Sequence, residues 1–120
     1  MSKTIFCDID GVIFHQPENF ISVYQEDRLF GRFFIESRAK LMEWYCQGHT
    51  IILTTGRPQH EYEDLLNYLK FNGIYFHKLI MNCGSGKRVL INDIDPVSPN
   101  EDKAIAINLV RNQTLRDVKL

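Results

Sequence analysis

The feature that most constrains this chain is a repeated one: an aliphatic run that stops abruptly at an acid or a hydroxyl. Thr4-Ile5-Phe6-Cys7 runs into Asp8-Ile9-Asp10-Gly11, and Thr50-Ile51-Ile52-Leu53-Thr54 runs into Thr55-Gly56-Arg57-Pro58. A third run, Arg88 to Asn92, ends in Asp93-Ile94-Asp95-Pro96. Short apolar runs with polar ends read as buried strands of a parallel sheet. In such sheets, ligands bind outside the carboxyl ends of the strands, so these polar ends are the first place to look for chemistry.

The segments between the runs have helical period. Glu36 to Gln47 carries Leu41, Met42 and Tyr45 at helical spacing, with Ser37 as a candidate cap and Gly48 suited to the left-handed residue after the end. Pro58 to Phe71 carries Tyr62, Leu65, Leu66 and Leu69 on one stripe and stops at Gly73. Further strands are expected at Tyr75 to Met81, Arg88 to Asn92 and Ala104 to Val110. Strand and helix alternate, which predicts an α/β fold with a mostly parallel sheet. Val12 to Ile35 fits neither period. It holds Phe14, Phe20, Tyr24, Phe30, Phe33 and Phe34, and reads either as a satellite hydrophobic cluster or as a flap over a site.

Composition narrows the class. At 120 residues the chain suits a single domain spanning 1–120, with 12–35 as a flap-like excursion. Fourteen basic residues stand against fifteen acidic ones, so no charge excess points to nucleic acid or an acidic membrane. No apolar run approaches the roughly 20 residues of a membrane-spanning helix, and the amino terminus is too short of apolar residues for a secretory signal. Cys7, Cys46 and Cys83 are odd in number and widely spaced, so neither a disulfide framework nor a thiolate zinc site is expected. The expected compartment is a reducing, cytoplasmic one.

Three acids and a hydroxyl converging at one sheet edge would repel one another unless a cation neutralised them. Oxygen ligands with little His or Cys nearby suit a hard ion, and Mg2+ is the natural candidate. Each piece alone has an ordinary alternative. A bare Asp-x-Asp occurs in surface turns, Thr55 could close a turn, and Asp93 and Asp95 could be solvated loop acids ahead of Pro96. Their order, each at a strand end, favours the site.

These residues carry a family resemblance. Ile5-Phe6-Cys7-Asp8-Ile9-Asp10-Gly11-Val12 resembles the first motif of the haloacid dehalogenase-like superfamily, Ile51 to Arg57 its second, and Leu90-Ile91-Asn92-Asp93 its fourth. The resemblance implies a three-layer Rossmann-like α/β sandwich with a mostly parallel central sheet. It further implies that Asp8 is the nucleophile, that Asp10 protonates the leaving oxygen and later activates water, and that Thr55, with Gly56 and Arg57, holds the phosphoryl group. Mg2+ would be held by Asp8, Asp10 (through its backbone carbonyl) and Asp93. Lys87 is the candidate for the third-motif lysine, with Arg88 or Arg57 as other sources of that charge. Asn92 stands where many relatives carry a second acid, and Asp95 either compensates or faces solvent.

The chain is expected to be capless: about 25 residues after the first motif and about 30 after the second are too few for an independently folded cap. Relatives of this kind act on large or exposed phosphates, or cover the site by homo-oligomerisation. Gly86 to Pro96 with Ala104 to Asn112 is similar to small members found with bacterial surface-polysaccharide synthesis, which implies a sugar phosphate as substrate. The resulting expectation is a Mg2+-dependent phosphatase acting on a small phosphorylated substrate. A related protein that binds such a ligand with little turnover is the alternative. A receiver-like phospho-acceptor module is disfavoured, because receivers place the acceptor on a middle strand. His15, His49, His60 and His77 lack metal-ligand spacing, Trp44 reads as core or interface, and Cys7 as packing.

Overall fold

The computed structural model describes residues 1–17 and 32–120. It contains a parallel three-stranded sheet in which β1 (Thr4–Asp8), β2 (Thr50–Thr54) and β3 (Lys78–Ile80) lie in chain order. Two helices connect the strands, α1 (Ile35–Cys46) and α2 (Tyr62–Phe71), and a short 3-10 turn at Gln59–Glu61 leads into α2. A second such turn, Leu115–Asp117, lies near the carboxyl terminus. The register pairs Phe6 with Ile52 and Asp8 with Thr54 across β1 and β2, and Thr54 with Ile80 across β2 and β3.

Alternation along the strands decides what is buried. Cys7, Ile51 and Leu53 join Leu41 and Trp44 of α1 and Leu65 and Leu69 of α2 in one buried cluster. These strand residues share one face, since side chains alternate across a sheet. On the opposite face Phe6 and Ile80 are exposed, at 52% and 43%, and Ile52 is only half-buried. Among the described residues the helices thus cover one face of the sheet and leave the other open.

The helices differ in detail from the periodicity. In α1 the inward stripe is Ser37, Leu41 and Trp44, while Met42 and Tyr45 are exposed. Ser37 caps nothing. Its hydroxyl is buried, donates to the Val12 carbonyl at 2.7 Å and accepts from the Leu115 amide at 3.1 Å, tying α1 to the residues after β1 and to the carboxyl-terminal segment. Gly48 and Gly73 do take the left-handed conformation after their helices, at φ 91° and 69°. In α2, Leu65 and Leu69 are fully buried, with Tyr62 and Leu66 half-buried beside them.

The base of the excursion after β1 is well tied. Phe14 is fully buried and meets Tyr68 edge-on at 5.4 Å, and Phe14 also bridges to Phe33 in antiparallel fashion. Phe20, Tyr24 and Phe30 lie outside the described residues, as does most of the expected flap over 12–35.

Two expected strands do not form. Arg88 to Asn92 and Ala104 to Val110 have no strand structure, and from Gly84 to Asn108 every residue except Ser98 is exposed. The physical reason is the absence of a partner. A strand is completed by a ladder of hydrogen bonds to a neighbour, and no backbone hydrogen bond involves Arg88 to Asn92 among the described residues. Strand β3 is likewise shorter than the expected Tyr75 to Met81.

Candidate functional site

The site is built where β1 and β2 end side by side. Because Asp8 and Thr54 are register partners, their side chains leave the same, open face, and the Thr54 hydroxyl donates to Asp8 Oδ1 at 3.3 Å. The Asp8 carboxylate stays 58% exposed, so an incoming group can reach it. Arg88 brings its Nη2 to 3.9 Å from Asp8 Oδ1, while its Nη1 donates to the carbonyls of Gly84 and Gly86. The guanidinium therefore folds its own loop and offers positive charge to Asp8 at once.

Beyond the strand end, the chain after Asp8 closes a tight turn. The amides of Val12, Ile13 and Phe14 all donate to the Ile9 carbonyl, and Gly11 takes φ 86°. A Cβ at Gly11 would also stand 3.3 Å from the side chain of Arg111. This turn holds Asp10 against Arg57, whose Nε and Nη2 donate to the two Asp10 oxygens at 2.9 and 2.8 Å. The Arg57 Nη1 donates to Glu61 at 3.0 Å. Burial acts to lower the Arg57 pKa, but the hydrogen bonds and charges of Asp10 and Glu61 outweigh it and raise the pKa above its ordinary value. The fork fixes Asp10 as an acceptor on both oxygens.

Thr55 is buried and belongs to the second strand-end turn. Its hydroxyl accepts from the Arg57 amide at 3.1 Å, its amide donates to the Ile80 carbonyl, and its carbonyl accepts from Cys83. Gly56 is pressed against the loop after β3: a Cβ there would stand 3.0 Å from the Gly84 carbonyl oxygen. A side chain there would oblige the loop to give by a few tenths of an ångström. Burial, and secondarily the charge of Asp8, push the Cys7 thiol up to about 12, so Cys7 stays neutral next to the exposed Asp8.

The remaining expected residues stand apart. Lys87 is exposed and makes no hydrogen bond or ion pair among the described residues. Asp93 pairs with Lys103 on the exposed segment. Asp95 accepts from the Val97 amide at 2.9 Å and shapes the turn that contains Pro96. No group of three His, Cys, Asp or Glu side chains that could hold a metal ion occurs among the described residues. Arg57 takes the two carboxylate oxygens of Asp10, whose expected ligand is its backbone carbonyl, while Asp93 pairs with Lys103, so the expected ligands Asp8, Asp10 and Asp93 are not gathered around one point among the described residues.

Three participants escaped the motif reading. Thr54, not Thr55, touches Asp8, and only the strand register reveals it. Glu61 joins Arg57, and its signal was the four-residue spacing within a helical turn. Arg88, offered only as a substitute for Lys87, is the cation nearest Asp8. Comparison with protein-family models, with curated proteins and with solved structures returns no match for this chain.

Proposed function

We propose that this chain is a phosphomonoester hydrolase that works through an aspartyl-phosphate on Asp8, and that its substrate is a small phosphorylated compound such as a sugar phosphate. The observation that carries the reading is the pairing of two carboxylates in different states of engagement at one sheet edge. Asp8 is open to solvent beside a hydroxyl and a guanidinium, whereas Asp10 is held on both oxygens by Arg57. A carboxylate nucleophile splits a hard displacement into two easier ones. In the first, an Asp8 oxygen bonds to phosphorus as the ester oxygen leaves and takes up a proton. In the second, water attacks the phosphorus, loses its proton, and releases Asp8 and inorganic phosphate.

Asp10 is the group in reach to give and take that proton. It must first yield one hydrogen bond from Arg57 and take up a proton from the bound phosphate monoester or from water, and an incoming phosphate is an equally good guanidinium partner. Substrate binding would then loosen the fork on Asp10. The Thr54 hydroxyl and the Arg88 guanidinium orient Asp8 and offset charge on the equatorial oxygens. The same reading includes a three-layer Rossmann-like arrangement and a requirement for Mg2+. No step is routed through the cation here, since its expected ligands are not gathered around one point among the described residues.

A second reading rests on the same fork. If Arg57 never releases Asp10, the site binds a phosphorylated ligand and turns it over slowly or not at all. A magnesium-dependent screen across sugar phosphates, nucleotides and an aryl phosphate separates the two. Hydrolysis that is abolished by Asp8→Asn and by chelation, with the fold intact by circular dichroism, supports the enzyme. Binding of the phosphorylated compounds without release of phosphate supports the binding module. Asp8→Asn turnover near that of the unmodified chain removes Asp8 from the role.

A further inference from the structure

The turn that carries Asp10 is held from outside by Asn112, which lies 96 residues beyond its partner Gln16. The backbone amide of Asn112 donates to the Gly11 carbonyl at 2.8 Å. Its side chain pairs with both backbone groups of Gln16. Oδ1 accepts from the Gln16 amide at 2.7 Å, and Nδ2 donates to the Gln16 carbonyl at 2.9 Å. A side-chain amide matches a peptide group donor for acceptor, so it closes such a pair as a neighbouring backbone would. One asparagine therefore grips both ends of the loop from Gly11 to Gln16.

Local geometry explains why asparagine stands there. Val110 to Gln113 forms a turn closed by the Gln113 amide on the Val110 carbonyl at 2.8 Å, and Asn112 takes φ 69° within it. The third place of such a turn favours glycine or asparagine when φ is positive, and of the two only asparagine brings a side chain. The segment is anchored again just beyond. The Leu115 amide donates to the Ser37 hydroxyl, and the Leu115 side chain lies in the core. On the near side, the Arg111 Cγ lies 3.3 Å from where a Cβ of Gly11 would stand. Arg111 to Leu115 thus forms a fixed wall against the turn.

Asp10 depends on that wall. The turn has its own bonds to the Ile9 carbonyl, and Ile9, Ile13 and Phe14 are buried, which fixes its apolar side. The carbonyls of the two residues after Asp10 are fixed separately, Gly11 by the Asn112 amide and Val12 by the Ser37 hydroxyl. Asp10 meets Arg57 with both oxygens, at 2.9 and 2.8 Å, and a fork of two parallel bonds tolerates little displacement. A shift of the Gly11 peptide, bonded directly to Asp10, is passed to that carboxylate. A reacting group misplaced by about 1 Å can lose roughly a hundredfold in rate.

We propose that Asn112 is a positioning residue for Asp10: its grip on Gly11 and Gln16 holds the strand-end turn so that Asp10 keeps both oxygens on Arg57 and stays within reach of the transferring group. Asn112 acts through the turn and not on the reacting atoms. Its part in the proton step rests on the proposed phosphoryl-transfer reaction, whereas its hold on Asp10 does not.

Asn112→Gly tests this, since glycine keeps the positive φ and the backbone amide but removes the side-chain pair. The first readout needs no activity: exchange of the Arg57 Nε proton with solvent, followed by nitrogen NMR, with Asp10→Ala giving the released value. Asn112→Gly should speed that exchange about tenfold, as befits two lost hydrogen bonds, and leave the buried Leu53 amide of β2 unchanged. No change at Arg57, equal acceleration at Leu53, or an Arg57 proton that Asp10→Ala does not release overturns the proposal. The second readout is kinetic. In Asn112→Gly, kcat should fall about tenfold for an alkyl phosphate and about twofold for an aryl phosphate with KM steady, because the poorer leaving group needs its acid in place. Equal losses, in a protein where Asp10→Asn does separate the two substrates, overturn the part of Asn112 in the proton step. Where Asp10→Asn does not separate them, or the natural chain hydrolyses neither, the proposed role of Asp10 falls, and an Arg57 proton that responds as expected retains the hold of Asn112 on Asp10.

Discussion

Two side chains at the end of β1 illustrate how one residue's surroundings set its chemistry. Asp8 faces the open side of the sheet with Thr54, and its neighbour Cys7 faces the helices and is buried. The Cys7 thiol, raised from 9.0 to about 12 by burial first and the Asp8 charge second, binds its proton more tightly folded than unfolded. Below pH 9 both states keep that proton and nothing is lost. Above pH 9 the unfolded chain loses it first, so stability falls as pH rises towards about 12. Cys7→Val should flatten that part of the stability curve relative to the natural chain, measured by urea unfolding across alkaline pH. Equal slopes would mean that the folded thiol titrates normally. The source of the positive charge is testable at the same scale. Arg88 is near Asp8 and Lys87 is solvated, so Arg88→Met should lower kcat/KM by about fivefold to tenfold, as befits an exposed pair worth about 1 kcal/mol. Lys87→Met should leave it unchanged. The reverse ranking would restore Lys87 to the place its motif suggested.

Helix α1 is positioned less by its ends than by one buried hydroxyl. Phe34 precedes it without a side-chain cap, while Ser37, one turn in, joins three parts of the chain through Val12 and Leu115. Ser37→Ala leaves the Leu115 amide without its acceptor and the Val12 carbonyl without this donor. A buried group left unsatisfied costs about 1–3 kcal/mol, so the midpoint of chemical unfolding should fall accordingly with its slope unchanged. An unchanged midpoint would show that water replaces the hydroxyl. The same residue shows where a local rule misleads: serine near a helix start is usually a cap, but here the first turn faces the core. Helix α2 follows its pattern closely, because Leu65 and Leu69 pack on the same cluster that the strands already define.

At the scale of the whole molecule, the sheet has, among the described residues, one covered face, one open face and an edge that meets no strand, with the segment from Gly84 to Asn108 left in solvent. Exposed backbone without hydrogen bonds is where proteases cut. Lys87 and Arg88 should therefore be the early tryptic sites. Mass spectrometry of the first fragments reads this directly. First cleavage elsewhere would mean that this segment is protected in solution.

The strands β1 and β2, both helices and the left-handed glycines after them were legible in the sequence, because each follows from local periodicity and backbone freedom. The place of Asp8 was legible too, since an apolar run that stops at an acid marks the strand end. What periodicity cannot carry is pairing. Val89-Leu90-Ile91 has the composition of a strand, yet a strand exists only where another backbone satisfies it, and among the described residues none does. The partners of Asp8 and Asp10 were hidden for the same reason: Thr54 arrives through the β1–β2 register, and Arg57 and Arg88 reach across loops from 47 and 80 residues away in sequence. Composition and spacing determined which groups this chain can offer at a sheet edge. Tertiary structure alone decided which of them meet, because contact between distant residues depends on strand register and loop length rather than on any residue's own preference.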